Sequence, residues 1–454
     1  MFDLLILTRF NLLIIFSFFR LCSFGQLSEY VRFLDNWHDE SIPKNGIGVR
    51  YNDTWGFTQN GQEYAVIGST LGTHIFQITA NHKFKPVAFV QGANSGFTVV
   101  HRDFKDHKGY LFAVCDQGSS TLQIIDVRYL PDSVNVVFDS PIFSPITHNI
   151  FIDKNNDLLY MCATETAAMK VVDISNPPTP VLLYDFLDVS VVHDAYVRNN
   201  IAYLNCANQG LRIYDFSNPT TPILLGALNN YPEKGYNHSG WLNEAGNIYV
   251  FADENEGLRM KVCDVSDPSN IRIISLFNSG SGPKAIPHNQ MIKNDLVYVS
   301  HYKDGLQIFD VRNPERVQRV GYYETYPVKG PELFNGAWGI YCLLPSGRIL
   351  VSDMSSGLFL LGFDDLPSIE SAQHGVFPNP TSGAQAYFYY YHKTSPVYNL
   401  YIFDSVGQLI ESYSNETRDY TIINIESWAN GMYYYKYEST KTGEVVGGKF
   451  QVMK

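Results

Sequence analysis

The stretch "PHNQMIKNDLVYVSHYKDGLQIFDVRNP", residues 287–314, decides the fold of this 454-residue chain. Within it, VYVSHY and LQIFDV alternate apolar and polar side chains, which is typical of β-strands. Asn313-Pro314 ends the pattern in a turn. A histidine, His288, stands just before the first strand. The stretch therefore predicts a short β-unit that begins with a histidine and ends in an Asn-Pro turn.

The same unit occurs seven times along the chain, with tryptophan in place of histidine in the two end copies. A repeat of this length made of short strands is typical of one four-stranded blade of a β-propeller. The sequence therefore predicts an all-β protein with a seven-bladed β-propeller over residues 26–363, followed by a small β-sandwich at residues 375–454. The marker residues are Trp55, His101, His148, His193, His238, His288 and Trp338, separated by 46, 47, 45, 45, 50 and 50 residues.

The seventh copy stops at Phe363 without a fourth strand. The segment "EYVRFLDNW", residues 29–37, resembles the missing piece, as comparison with "VQRVGYYET" shows. We expect this N-terminal strand to complete the last blade and close the ring. Closure would remove the exposed sheet edges that promote aggregation.

Composition excludes several classes of function. The formal net charge is −12, whereas nucleic acids and anionic membrane surfaces bind basic proteins. Residues 1–25 are apolar with a basic residue near the start, which predicts a signal peptide cleaved before Gln26, with an uncleaved anchor as the alternative. No other stretch is apolar enough to span a bilayer, so no transmembrane span is expected in the mature chain. We expect the five cysteines beyond the signal to be buried free thiols.

Five aspartates end the third strand of successive copies, and as a set they resemble metal ligands. Each precedes a turn, where a short acidic side chain can bond the backbone amides that follow. We therefore predict a structural role for them. They are Asp126, Asp173, Asp215, Asp264 and Asp310.

The five repeated histidines are the main candidates for a site, because equivalent positions of successive blades converge near one mouth of the channel. Three interpretations stand: hydrogen bonding between blades, direct ligand contact, or a divalent metal site, for which His148, His193, His238 and His288 are the candidates. Propeller folds repeat structural residues from blade to blade, so the run of histidines across five blades favours the structural interpretation, with no copurifying transition metal. The full candidate set is Trp55, His101, Asp103, His148, His193, Asp194, His238, Asp253, Glu254, His288 and Trp338.

The I/V-x-D-V/I-S-N-P copies resemble LVIVD repeats. Their order, with motifs such as Trp55-Gly56, Arg102-Asp103, His193-Asp194 and Asp253-Glu254, resembles the "choice-of-anchor B" family of secreted bacterial propellers. The similarity covers roughly residues 27–363. It implies a secreted propeller whose C-terminal attachment device varies between members, and it supplies no established activity.

Residues 375–454 follow a polar linker at 364–374. The order of "FPNPTSG", the D-x-x-G-Q turn, "NGMYYYKY" and a lysine-bearing end resembles the type A sorting domain of the type IX secretion system of Bacteroidota. The resemblance implies passage through the periplasm to the cell surface or the medium, with this domain as the partner of the secretion machinery. It also implies that the domain is removed.

The sequence contains no G-x-S-x-G elbow, P-loop, H-E-x-x-H or Rossmann glycine pattern. We therefore expect a secreted or cell-surface binding scaffold whose ligand is a glycan, a peptide or another protein, and no cofactor. A metal-dependent hydrolase built on the histidine ring is the first alternative. A structural component of a surface layer is the second.

Overall fold

The computed structural model describes residues 28–280, 284–326, 334–363, 374–377, 379–390, 397–417, 420–440, 443 and 445–454. Within these ranges the regular structure is almost entirely β, with one short 3₁₀ helix at Pro268–Asn270. No helix in the described ranges is long and apolar enough to cross a membrane. The predicted signal peptide, residues 1–25, lies outside the described residues.

Seven antiparallel sheets follow one another along residues 28–363, which confirms the predicted propeller. Blade one consists of β3 (Tyr51–Gln59), β4 (Gln62–Ser69), β5 (Gly72–Ile78) and β6 (Phe84–Gln91), and blade two of β7 (Arg102–His107), β8 (Tyr110–Cys115), β9 (Leu122–Asp126) and β10 (Asn135–Ser140). Blade three consists of β11 (Thr147–Asp153), β12 (Leu158–Thr164), β13 (Met169–Asp173) and β14 (Val181–Phe186), and blade four of β15 (Asp194–Arg198), β16 (Ile201–Asn205), β17 (Leu211–Asp215) and β18 (Ile223–Leu228).

Blades five to seven complete the ring, and the seventh takes its outer strand from the start of the propeller. Blade five consists of β19 (Asn237–Leu242), β20 (Ile248–Asp253), β21 (Met260–Asp264) and β22 (Arg272–Phe277). Blade six consists of β23 (Asn289–Lys293), β24 (Leu296–Ser300), β25 (Leu306–Asp310) and β26 (Gln318–Tyr323), with β1 (Ser28–Glu29) added at its edge. Blade seven consists of β27 (Ala337–Tyr341), β28 (Arg348–Asp353), β29 (Gly357–Phe363) and β2 (Val31–Trp37).

The predicted ring closure is confirmed. Strand β2 pairs antiparallel with β29, from Val31 opposite Phe363 to Trp37 opposite Leu358. The pairing carries a register shift between Phe33 and Asp35. The third and fourth strands of the other six blades carry a shift of the same kind. The N-terminal strand therefore reproduces the local geometry of an ordinary fourth strand.

One detail of the closure differs from the sequence-based expectation. The closing strand begins at Val31 rather than Glu29, because Ser28 and Glu29 pair instead with the outer strand of blade six, with Ser28 opposite Tyr323. Between the two pairings, Tyr30 has a φ of 53°, in the left-handed region. The chain turns sharply there, so that one short segment contacts both blades six and seven.

The third-strand aspartates have the predicted structural role. In each case a carboxylate oxygen accepts the backbone N–H two residues further on, at 2.7–3.0 Å. The five cysteines of the described chain are free and buried, also as predicted.

The C-terminal region contains two sheets around a common apolar core that includes Phe388, Leu400, Tyr437 and Phe450, as expected for a small β-sandwich. The predicted linker lies outside the described residues except for His374, which begins the first strand. The strands are β30 (His374–Phe377), β31 (Gln385–Tyr390) and β34 (Tyr420–Asn424) in one sheet, and β33 (Leu409–Glu416), β32 (Tyr398–Phe403), β35 (Gly431–Ser439) and β36 (Val445–Val452) in the other.

Candidate functional site

Five imidazoles and one indole form a closed ring at the start of the inner strands, which we call the histidine ring. Each is either the residue just before its inner strand or the second residue of that strand, so the propeller brings them together at one mouth of the channel. Neighbouring ring centroids lie 4.1–5.5 Å apart. The members are His101, His148, His193, His238, His288 and Trp338.

Several ring members bond to a neighbouring blade, as the structural interpretation predicts. Nδ1 of His193 lies 3.1 Å from the carbonyl oxygen of His238, and Nδ1 of His288 lies 2.6 Å from that of Trp338. Because a carbonyl only accepts, both Nδ1 atoms carry the proton. His148 bonds through Nδ1 to the Asp116 carboxylate of the preceding blade, at 2.6 Å. These contacts hold successive blades together around the channel.

Burial sets the charge of the ring. It lowers the pKa values of His101, His193 and His238 well below their usual range and that of His288 to about 3. Burial also acts against a charged His148, but the hydrogen bond to Asp116 and the negative charges of Asp116, Glu254 and Asp103 together outweigh it, and the pKa of His148 is raised. Four members are therefore neutral at neutral pH.

The two acidic candidates at the end of the second strand of blade five have different positions. Glu254 lies against the ring, with its carboxylate 3.6 Å from Nε2 of His238 and 3.9 Å from Nε2 of His288, and it accepts the Tyr302 hydroxyl. Asp253 instead accepts from the Tyr231 hydroxyl and contacts the Lys261 ammonium group, both at 2.9 Å. Asp253 therefore stabilises its own blade.

Trp55 does not occupy the position that matches the histidines, which corrects the sequence alignment of blade one. Its indole packs on Tyr341, with ring centroids 4.7 Å apart, and donates to Asp106. Asp53, rather than Trp55, has the pattern of Asp103 and Asp194, in which a carboxylate oxygen accepts the next residue's N–H. A register irregularity at the start of β3 hides this alignment in the sequence.

A buried acidic layer lies next to the ring. Lys105 contacts both oxygens of Asp103, at 2.9 and 3.0 Å, and Asp103 also accepts the N–H of Ile150 from blade three, at 2.7 Å. Gly339 fills the equivalent position of blade seven, where a Cβ atom would lie only 2.0 Å from Asp53. The layer therefore connects blades one, two, three and seven.

Not every carboxyl group in the acidic layer is ionised. Burial, reinforced by neighbouring Asp103, raises the pKa of Asp53 well above its usual range, and burial raises that of Asp194 to about 7. Burial also acts against a charged Lys105, but the neighbouring carboxyl groups, above all that of Asp103, outweigh it and its pKa is raised. We infer that Lys105 and Asp103 form the ion pair and that Asp53 carries a proton. A cavity of about 40 Å³ beside these groups has room for water.

A third layer lies two residues further along each inner strand and is mostly aromatic. It opens into a cavity of about 280 Å³, which we call the aromatic bowl. Because a strand advances about 3.3 Å per residue, the bowl lies about 10 Å along the channel from the histidine ring. Its aromatic members are Trp55, Phe151, Tyr196, Trp241 and Tyr341.

The rings of the bowl support one another. Trp241 packs edge-on against Tyr196, with centroids 4.8 Å apart, and Phe151 contacts the same tyrosine at 5.2 Å. The Lys105 ammonium group lies 4.4 Å from the centroid of Trp55. Arg198 and Lys154 add cationic groups to the lining. The bowl thus combines fixed apolar faces with polar groups, as in small-molecule sites.

The sequence analysis missed this layer, although a pattern in the sequence contains it. An aromatic residue occurs two positions after the acidic-layer position in five of the seven copies, and Lys105 and Met291 take that place in the others. The acidic-layer positions are Asp53, Asp103, Asn149, Asp194, Ser239, Asn289 and Gly339. The sequence comparison was aligned on the histidines, whereas this spacing starts from the acidic-layer residue that follows them. An alignment on the histidines alone therefore does not detect it.

Comparisons with known families support two parts of this description. Residues 375–452 match the secretion system C-terminal sorting domain, and residues 160–188 and 192–230 match the LVIVD repeat. The chain therefore contains LVIVD repeats and carries a sorting domain of the type IX secretion system, which exports it to the cell surface or extracellular space. The resemblance to the choice-of-anchor B family stays a prediction.

Solved structures support the fold alone. The WD40 repeats of RRP9 superpose with a TM-score of 0.50 at 8% identity, covering 74% of this chain and 99% of that one. The structure of U3-55K superposes with a TM-score of 0.50 at 9% identity, covering 73% of this chain and 98% of that one. PorZ of Porphyromonas gingivalis, a surface component of the type IX secretion system, gives a TM-score of only 0.37 at 13% identity, covering 88% of this chain and 51% of that one. No curated protein matches.

Proposed function

We propose that this exported propeller is a binding protein that holds its ligand in the aromatic bowl. The observation that carries the proposal is the convergence of five aromatic side chains on a cavity of about 280 Å³. Ligand sites of known proteins are typically concave, lined by hydrophobic and aromatic side chains, and supplied with a few polar groups.

The lining favours one class of ligand. Trp241 and Phe151 are half-buried, so parts of their rings face the cavity. Such faces suit a flat ligand with an apolar side, and the nearby Arg198 and Lys154 suit hydroxyl or carboxylate oxygens on its edge. A sugar residue of a glycan, above all an acidic one, combines these properties. We therefore expect the ligand to be a glycan.

Replacement of the exposed part of the bowl tests this function. Trp241→Ala should weaken glycan binding by at least about tenfold, equivalent to about 1.4 kcal/mol, because it removes a half-buried indole from the lining of the cavity. A glycan array followed by calorimetry on the full chain would measure the effect. Tyr129→Ala, at an exposed aromatic residue outside the bowl, is the matched control. Equal losses in both variants, or binding that survives Trp241→Ala, would count against the proposal.

Maturation is expected to follow from the two ends of the chain. The mature protein should begin near Gln26 and lack the region after about Asp365, because the signal peptide and the sorting domain are both processed during export. Intact-mass measurement of the protein from the native cell surface or medium would check this. Recovery of the chain with residues 375–454 still attached would contradict it.

A further inference from the structure

We propose that His148, His193 and His238 form a transition-metal site at the histidine mouth, with a fourth coordination position open to solvent. One ligand atom from each of these side chains lies within 4.8 Å of those of the other two. The site is separate from the aromatic bowl and does not depend on the proposed glycan binding.

The hydrogen bonds of the ring leave metal-binding nitrogens free. Nδ1 of His193 donates to a carbonyl, so its Nε2 presents a lone pair. His148 contacts Asp116 through Nδ1, and its Nε2 presents a lone pair once a binding ion displaces the proton. His238 has only 2% of its surface exposed, and its Nδ1 has no hydrogen-bond partner among the described residues. An unpaired buried nitrogen costs about 1–3 kcal/mol of folding free energy. An ion bound to Nδ1 of His238 would recover this free energy.

The surroundings resemble those of known metal ligands. The bond between His148 and Asp116 is the carboxylate–histidine arrangement that orients metal-binding imidazoles. Three histidines with one open position are typical of zinc sites, and imidazole also suits copper, iron and nickel. The His148 side chain is 20% exposed, so an ion has a path to the ring from this mouth.

Glu254 and His288 extend the site on one side. Together with His238 they form a second close group of potential ligands. The Glu254 carboxylate lies 3.6 Å from Nε2 of His238, so a negative charge lies beside the imidazole that would bind the ion. His101 belongs to neither group, and its Nδ1 accepts from the indole of Trp338 at 3.2 Å. The ring thus has a metal side and a structural side.

Cobalt titration of the full chain tests the site. After treatment with a chelator, the chain should bind one Co²⁺ with visible ligand-field bands, and Zn²⁺ should displace it. His238→Gln should abolish the bands with little loss of stability, because the variant removes no hydrogen bond between blades. Asp116→Asn should weaken binding by about 10–100-fold. His101→Gln, in the same ring, is the matched control and should bind normally.

Several results would overturn the proposal. These are the absence of ligand-field bands in the full chain, unchanged binding by His238→Gln, or equal loss in His101→Gln. If the variants do not fold, imidazole nitrogen resonances of the unmodified chain decide the question. Addition of Zn²⁺ should shift those of His148, His193 and His238, and unchanged resonances would refute the site.

Discussion

Removal of residues 27–37 should lower the melting temperature of the propeller far more than removal of residues 375–454. The first deletion exposes β29 as an unpaired edge. It also removes Trp37, whose ring lies 4.7 Å from that of Phe76 and 5.6 Å from that of Tyr51. Each large apolar side chain that loses its burial costs about 1.5–3 kcal/mol. The second deletion removes strands that have their own core.

Calorimetry of the two truncated chains beside the full chain would measure the difference. A third chain that lacks only residues 27–29 is the matched control, because it loses β1 but keeps the closing strand. We expect it to melt close to the full chain. Equal melting temperatures for the two large truncations would show that the N-terminal strand does not hold the ring together.

Asp103→Asn should be the most damaging single substitution in the channel, at about 3–5 kcal/mol of unfolding free energy. The variant leaves the Lys105 ammonium group, whose side chain is 10% exposed, without the carboxylate that pairs with it. Because an isolated buried charge is far less stable than a paired one, the loss exceeds that of an ordinary hydrogen bond. Urea unfolding at neutral pH would measure it.

Asp53→Asn is the control, with nearly the same shape and position. Because the folded protein holds a proton on Asp53 that the unfolded chain releases above about pH 4, the amide replaces a neutral group by another neutral group. Folding of the variant takes up no proton, so we expect it to be at least as stable as the unmodified chain at neutral pH. A raised folded pKa makes stability fall as pH rises, so Asp53→Asn should flatten that slope. Equal damage from both variants would contradict the assigned proton.

The blades and their closure were predictable because each depends on local patterns. Alternating side chains, the Asn-Pro turns and the repeat length are visible in a single stretch such as residues 287–314. The closing strand was predictable because residues 29–37 resemble a fourth strand. The pairing of Ser28 and Glu29 with blade six was not, since it depends on the turn at Tyr30, whose left-handed backbone leaves no pattern in the sequence.

The site was predictable only in part, for physical reasons. The histidines were found because they repeat, and their convergence follows from the rotation of equivalent positions. Trp55 was wrongly matched because an irregular strand start shifts the alignment in blade one. Lys105 and Asp53 were missed because their importance arises from contacts between blades. The aromatic bowl was missed for the same reason, because its five rings come from five different blades.

The closing strand also affects how the chain folds. Its pairing joins residue 31 to residue 363, so the last sheet cannot form until the whole propeller sequence is present. Contacts between such distant parts of a chain form slowly, because the loop must close before they add stability. A chain that crosses a membrane with its N-terminus first therefore passes through an open-ring intermediate. Until β29 has emerged, β2 lacks the strand with which it pairs and would be open to proteases and chaperones of the periplasm.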